Sequence, residues 1–236
     1  MRVARLTLLL ALVLALAACG GDDGEESAPP ATTGEAPPTT TAATTEGGTT
    51  ETEADCARVE APEPREEGNL SLPSAGLNAE TTYRLRVETN CGAFTIELDQ
   101  ETAPQTTASL VALTRAGFYD GTTFHRVVPG FVIQGGDPTG TGAGGPGYKT
   151  VDPPPADARY VQGVVAMAKA GFEEPGTSGS QFFVVTGADV GLPPEYALVG
   201  RVTDGLEAVL AIDALGQGDG PPSQPVVMER VVVEEE

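Results

Sequence analysis

Arg126 lies in the stretch of this chain best equipped for chemistry, Phe124-His125-Arg126-Val127-Val128-Pro129-Gly130-Phe131-Val132-Ile133-Gln134-Gly135-Gly136-Asp137. A guanidinium, a glutamine amide and two phenylalanine rings fall in two short apolar runs joined by Pro129-Gly130. Strand alternation sends neighbouring side chains to opposite faces, so Phe124 and Arg126 are expected on one face and His125 on the other. Gln134 and Phe131 converge only if the sheet bends. A cation beside an apolar pocket grips a polar atom on an otherwise greasy ligand. Metal chemistry is not expected, because one histidine and no paired Cys/His spacing fall short of a ligand set. Two glycine-rich stretches lack the residues for phosphate binding or nucleophilic chemistry. Residues 140–147 (GTGAGGPG) lack the Lys-Ser/Thr and helix start of a phosphate loop, so a flexible surface loop is expected there. Gly176-Thr177-Ser178-Gly179-Ser180 carries serine where a nucleophile elbow needs its closing glycine.

The elements that must position Arg126 are short. Tyr83–Glu88 and Ala93–Leu98 alternate apolar and polar residues around Asn90-Cys91-Gly92, which predicts a hairpin. Pro104 opens a helix through Leu110, Val111 and Leu113 that closes at Gly117. Further strands are expected at Thr122–Val127, Phe131–Gln134, Val164–Met167, Phe182–Thr186, Leu198–Val202 and Val226–Val233. A second helix is expected over Leu206–Ala214. Eight strands and two helices with Gly/Pro-rich connections give a mainly β fold, a closed eight-stranded antiparallel β-barrel capped by two α-helices. In the strand over Phe182–Thr186, Phe182 faces the core and Phe183 alternates outward.

The beginning of the chain reads differently. Arg2 and Arg5 precede an apolar run from Leu6 to Ala18 that suits a secretory signal and is too short to span a membrane. It ends Leu16-Ala17-Ala18-Cys19-Gly20, which resembles a bacterial lipobox, in which Cys19 would be lipidated after removal of residues 1–18. An ordinary cleaved signal that happens to hold a cysteine is the alternative. Residues 19–55 have no aromatic and no large aliphatic side chain, so they cannot bury enough surface to fold and are expected to be a disordered tether. Residues 20–68 hold 13 acidic side chains against Arg58 and Arg65, about half of the net charge of −21. Such a tether repels itself and extends, and the charge argues against nucleic acid as a partner. An exported, membrane-anchored lipoprotein on an extracytoplasmic face is the expectation, touching the membrane through its lipid alone. In that oxidising setting Cys56 and Cys91 are expected to bridge, stapling an irregular arm over 56–80 to the domain over 81–236; two free thiols are the alternative.

The stretch around Arg126 resembles the signature of the cyclophilin family of peptidyl-prolyl isomerases. Val165-Ala166-Met167-Ala168-Lys169-Ala170-Gly171, leading to Ser178-Gly179-Ser180-Gln181-Phe182-Phe183, is similar to that family's second motif, and Leu198-Val199-Gly200-Arg201-Val202 follows in order. The resemblance covers nearly all of residues 81–233. It implies a groove on the outside of the barrel that binds Xaa-Pro segments of exported proteins and needs no cofactor. It casts Arg126 as the catalytic donor to the prolyl nitrogen. Phe131, Val132, Phe183 and Leu192 would wall the proline pocket, and Gln134 would hold a substrate carbonyl. The backbone of Ala168, Lys169 and Ala170 would bind the peptide main chain, with Gln181, His125 and Tyr196 also at groove positions. His125 more naturally packs or hydrogen-bonds than acts as an acid or base, because bond rotation moves no proton.

Departures from the family pattern are local. Lys169 stands where many members have asparagine, which is expected mainly to add charge. The segment Phe172-Glu173-Glu174-Pro175 is slightly longer than its counterpart. Gly191 replaces a tryptophan of many eukaryotic members, which argues against tight cyclosporin binding. Tyr196 replaces a histidine and offers either a hydroxyl or a ring face. The expected activity is a monomeric prolyl isomerase assisting protein folding at the membrane surface; a non-catalytic peptide-binding or chaperone module on the same fold is the alternative.

Overall fold

The structure, a computed structural model, describes residues 56–236; the leader, Cys19 and the tether lie outside the described residues. Strands β1 (Tyr83–Thr89) and β2 (Gly92–Leu98) form the expected hairpin, and in β1 every second residue is buried from Tyr83 onward. Helix α1 (Pro104–Arg115) starts on its proline and buries Leu110, Val111 and Leu113. The chain continues through β3 (Thr122–Thr123), β4 (Arg126–Val128), β5 (Val132–Gly135), β6 (Thr150–Val151), β7 (Val164–Met167), β8 (Thr177–Ser178) and β9 (Phe182–Val185). It ends with β10 (Leu198–Asp204), α2 (Leu206–Asp213) and β11 (Val227–Glu235).

Nine strands make one antiparallel sheet in the order β3-β11-β1-β2-β10-β7-β9-β5-β4, and β6 pairs separately with β8. The outermost strands, β3 and β4, belong to one run, 122–128, so the sheet curls until its two edges share a single stretch of chain. Within this sheet the eight expected strands become nine because this run changes partner part-way, and the short β6–β8 pair is additional to them. Thr122-Thr123 pair with β11, and Arg126–Val128 pair with β5. The change of partner shifts the alternation by one step. Phe124 is 1% exposed and Val127 fully buried, while Arg126 between them points outward. Phe124 and Arg126 therefore do not share a face, contrary to simple alternation, because the residues between the half-strands absorb the extra step much as a bulge does.

Two apolar clusters lie on either side of the sheet. The inner one centres on Phe94, Phe124 and Phe182, with ring centroids 6.3 Å apart for Phe94–Phe124 and 6.1 Å for Phe124–Phe182. The outer one gathers Val132, Tyr160, Ala166, Phe183 and Val185. Strand β9 is buried at every position because it serves both clusters, Phe182 and Val184 inward, Phe183 and Val185 outward. The outer cluster is the floor on which a site can be built.

The arm before β1 contains no helix or strand, yet it is fastened at both ends. Cys56 and Cys91 form a disulfide across 35 residues, and the Asn90 side chain donates to Ala57 O at 2.7 Å. Further on, Arg65 N–H donates to Pro138 O at 2.9 Å, Gly68 N–H to Gly145 O at 2.8 Å and Leu70 N–H to Pro146 O at 2.9 Å. The Arg65 guanidinium meanwhile lies over the Phe118 ring. Backbone meets backbone so closely that a Cβ on Gly147, at φ +93°, would sit 2.5 Å from Gly68 O. The bridge closes a loop whose entropy in the unfolded chain is worth about 2–4 kcal/mol. Guanidinium unfolding with and without reductant should show a loss of that size; identical midpoints would exclude it.

Candidate functional site

Strand register builds the site. Arg126 on β4 stands opposite Gln134 on β5, and Gln134 stands opposite Phe183 on β9, so the three share one row on the outer face. Around that row lies a hollow of about 280 Å³ floored by Phe131, Val132, Phe183 and Leu192, with Tyr196 at its side. A second hollow of about 440 Å³ shares Gln134, Ala168 and Lys169 with the first and continues past Ala170 and Gln181. Its far wall carries Phe172, 92% exposed. The two hollows are consecutive pockets of one groove, suited to an extended chain with an apolar residue in the first.

A directional hydrogen-bond relay runs along the groove. Arg126 Nη1 donates to Gln134 Oε1 at 3.2 Å, and Gln134 Nε2 donates to Gln181 Oε1 at 3.1 Å. Gln181 Nε2 then donates to the carbonyls of Gly142 and Gly144 at 3.0 and 2.9 Å. The glycine-rich loop that receives these bonds is not free. The Asp137 carboxylate, 1% exposed, accepts from the N–H groups of Thr139 at 2.7 Å, Gly142 at 2.6 Å and Gly144 at 3.2 Å. Burial pushes the Asp137 carboxyl up, but these bonds outweigh it and hold it below its ordinary value. The loop expected to be a flexible surface connection is thus wound around an internal anion and serves as a groove wall.

Lys169 departs furthest from expectation. Its side chain is 2% exposed, with Nζ 3.0 Å from Glu195 Oε2, 3.1 Å from Glu173 O and 5.7 Å from the centre of the Tyr196 ring. Rather than only adding charge, it ties the 171–176 segment to the far side of the groove, and Tyr196 contributes a ring face to it. Of the three backbone positions expected to bind a peptide, two have their N–H groups paired within the chain. Ala168 N–H is taken by Gln181 O at 2.9 Å and Ala170 N–H by Glu173 Oε2 at 2.7 Å, so neither is free to receive a peptide.

His125 is the one expected groove residue that lies elsewhere, lining a hollow with Ala61 and Pro221. Both its ring nitrogens are buried without a hydrogen-bond partner, and burial lowers its pKa below the usual 6.5. The structure also brings in residues that motif reading passed over. Glu173 and Glu195 take the charges of Lys149 and Lys169, and Asp219 takes that of Arg126. Each groove cation thus carries its own carboxylate. Asp219, in the glycine-rich segment 216–220, has no local pattern that announces a partner 93 residues away.

The fold and site together are a curled antiparallel sheet with an arginine-and-aromatic groove on its outer face. Residues 84–233 match the family described as cyclophilin type peptidyl-prolyl cis-trans isomerase/CLD, and the chain belongs to that family. It is 38% identical over 172 residues to peptidyl-prolyl cis-trans isomerase A of Mycobacterium tuberculosis, covering 64% of this chain and 92% of that one. It is 43% identical over 126 residues to a peptidyl-prolyl cis-trans isomerase of Schizosaccharomyces pombe, covering 52% and 79%. A crystal structure of a Cryptosporidium parvum cyclophilin type isomerase superposes with a TM-score of 0.60 at 32% identity, over 66% of this chain and 99% of that one. The same protein crystallised in the presence of the dipeptide Ala-Pro superposes with a TM-score of 0.59, over 65% and 99%.

Proposed function

We propose that this protein is a peptidyl-prolyl cis-trans isomerase in which Arg126 stabilises the twisted prolyl amide. The observation that carries this is the Arg126 guanidinium, held by Gln134, lining the same hollow as Phe131, Val132, Phe183 and Leu192. An Xaa-Pro bond isomerises over tens to hundreds of seconds unaided, because resonance gives the C–N bond partial double-bond character. Twisting the bond localises a lone pair on the prolyl nitrogen. A donor aimed at that atom is better satisfied in the transition state than in the ground state, which is the condition for catalysis. Phe131, Val132, Phe183 and Leu192 hold the ring, and the spare Gln134 N–H is free for a substrate carbonyl. No proton, electron or covalent bond changes hands. The test is the cis-to-trans rate of a short Xaa-Pro peptide with the full chain: acceleration is expected, and none from a folded chain would leave a peptide-binding module.

The place of action is proposed from the sequence. Export by the leader and lipidation of Cys19 would hold the domain at a membrane surface, where its substrates are newly exported chains. Mass spectrometry of the protein from its native membrane should find Cys19 as an acylated N-terminus; an unmodified Cys19 there would remove the anchor from this account.

A further inference from the structure

The segment between α2 and β11 is pinned against the catalytic strand. Ser223 N–H donates to Leu215 O at 2.8 Å, closing its base, and Val127 N–H donates to Gly220 O at 2.8 Å. Gly216 packs so tightly on Pro129 that a Cβ there would meet the ring Cγ at 2.6 Å. With residue 220 bridged to 127, Asp219 is delivered beside Arg126. Its carboxylate accepts from Nε at 2.6 Å and from Nη2 at 3.0 Å, leaving Nη1 for Gln134. A two-point fork sets the plane of a guanidinium, which a single contact does not.

We propose that Asp219 is a positioning residue: it locks the Arg126 guanidinium so that its Nη1 edge faces the groove. The catalytic consequence rests on the isomerase reading above; the lock itself does not. Two effects oppose each other. The carboxylate orients the donor, but it also offsets part of the positive charge that the transition state needs. Asp219 is 66% exposed, so solvent screens its charge at the more distant prolyl nitrogen more than it weakens the direct two-point contact that sets the guanidinium plane. Orientation wins, and removing Asp219 costs rate. The Arg126 hydrogen bond also holds the Asp219 carboxyl below its ordinary value, so the fork stays charged to a lower pH than a free aspartate would.

The experiment compares the full chain with D219A, R126A and the double variant. In D219A, kcat is expected to fall about tenfold while the Kd for an Xaa-Pro peptide and the melting temperature stay unchanged. The Arg126 Nε–H resonance, protected from water exchange in the parent, should exchange like that of a free arginine in D219A. In the R126A background D219A should cost nothing further, because its effect passes through the missing guanidinium. Unchanged kcat in D219A, an equal loss in the R126A background, or an Nε–H that stays protected without Asp219 would each overturn the proposal. A parent that protects the Nε–H through Asp219 but does not turn over would support the lock and overturn the isomerase reading instead.

Discussion

Arg126→Ala should lower kcat/KM for an Xaa-Pro peptide by about 100- to 1000-fold, the usual loss when one preorganised donor is removed from a developing charge. Stability should not follow. The side chain is 31% exposed and its ion pair with Asp219 faces solvent, and such pairs add little to folding. Peptide affinity should fall far less than turnover, because in the proposed binding mode the proline ring would rest on Phe131, Val132 and Phe183 rather than on the guanidinium. Arg126→Lys keeps a charge but loses the planar fork to Asp219 and Gln134, so its rate should lie between parent and alanine. Two-dimensional exchange NMR gives both quantities on one sample. A variant with parental kcat and a weakened Kd would make Arg126 a binding residue only.

Phe182→Ala should destabilise the domain by about 3–5 kcal/mol, the range for removing a buried aromatic from a packed core. Phe182 is 4% exposed and meets Tyr119 and Phe124 edge-on, at 5.9 and 6.1 Å between ring centroids. The surrounding strands are locked by their ladders and cannot collapse into the space. Denaturant unfolding should show a lower midpoint at unchanged slope; a loss under about 1 kcal/mol would mean that the inner cluster relaxes into the cavity. The adjacent ring makes the contrast. Phe183→Ala opens the floor of the groove, so its loss should show in peptide affinity as well as in stability.

The sequence exposed whatever is governed by neighbours in the chain. Alternation placed Phe182 and Phe183 on opposite faces, the Asn90-Cys91-Gly92 turn marked the first hairpin, and Pro104 marked the start of α1. The motif around Arg126 and Gln134 named residues that the strand register then set in one row. What stayed hidden depends on partners distant in sequence. The change of pairing within 122–128 follows from β11 on one side and β5 on the other, so the phase of Arg126 relative to Phe124 was not visible locally. Lys169 looked like an added surface charge because its acceptors, Glu173 O and Glu195, come from two separate loops. The glycines of 140–147 looked unrestrained because Asp137, which organises them, lies just outside the run and reads as an ordinary turn acid. Asp219 carries no signal at all until the Val127–Gly220 bridge is seen.

The bridge between Cys56 and Cys91 also sets where a mechanical load enters the domain. A pull on the chain ahead of Cys56 passes through the sulfur atoms to the turn between β1 and β2, and from there into the whole sheet. Residues 57–80 hang beside that path as an unloaded loop. If the bond were open, the same pull would act on the arm itself and peel it from Pro138, Gly145 and Pro146 one hydrogen bond at a time. Two of those carbonyls, Gly145 and Pro146, belong to the loop that walls the groove, and Pro138 lies just ahead of it. The covalent link therefore works as a cable clamp: it lets the protein be tugged from its beginning while the groove keeps its shape.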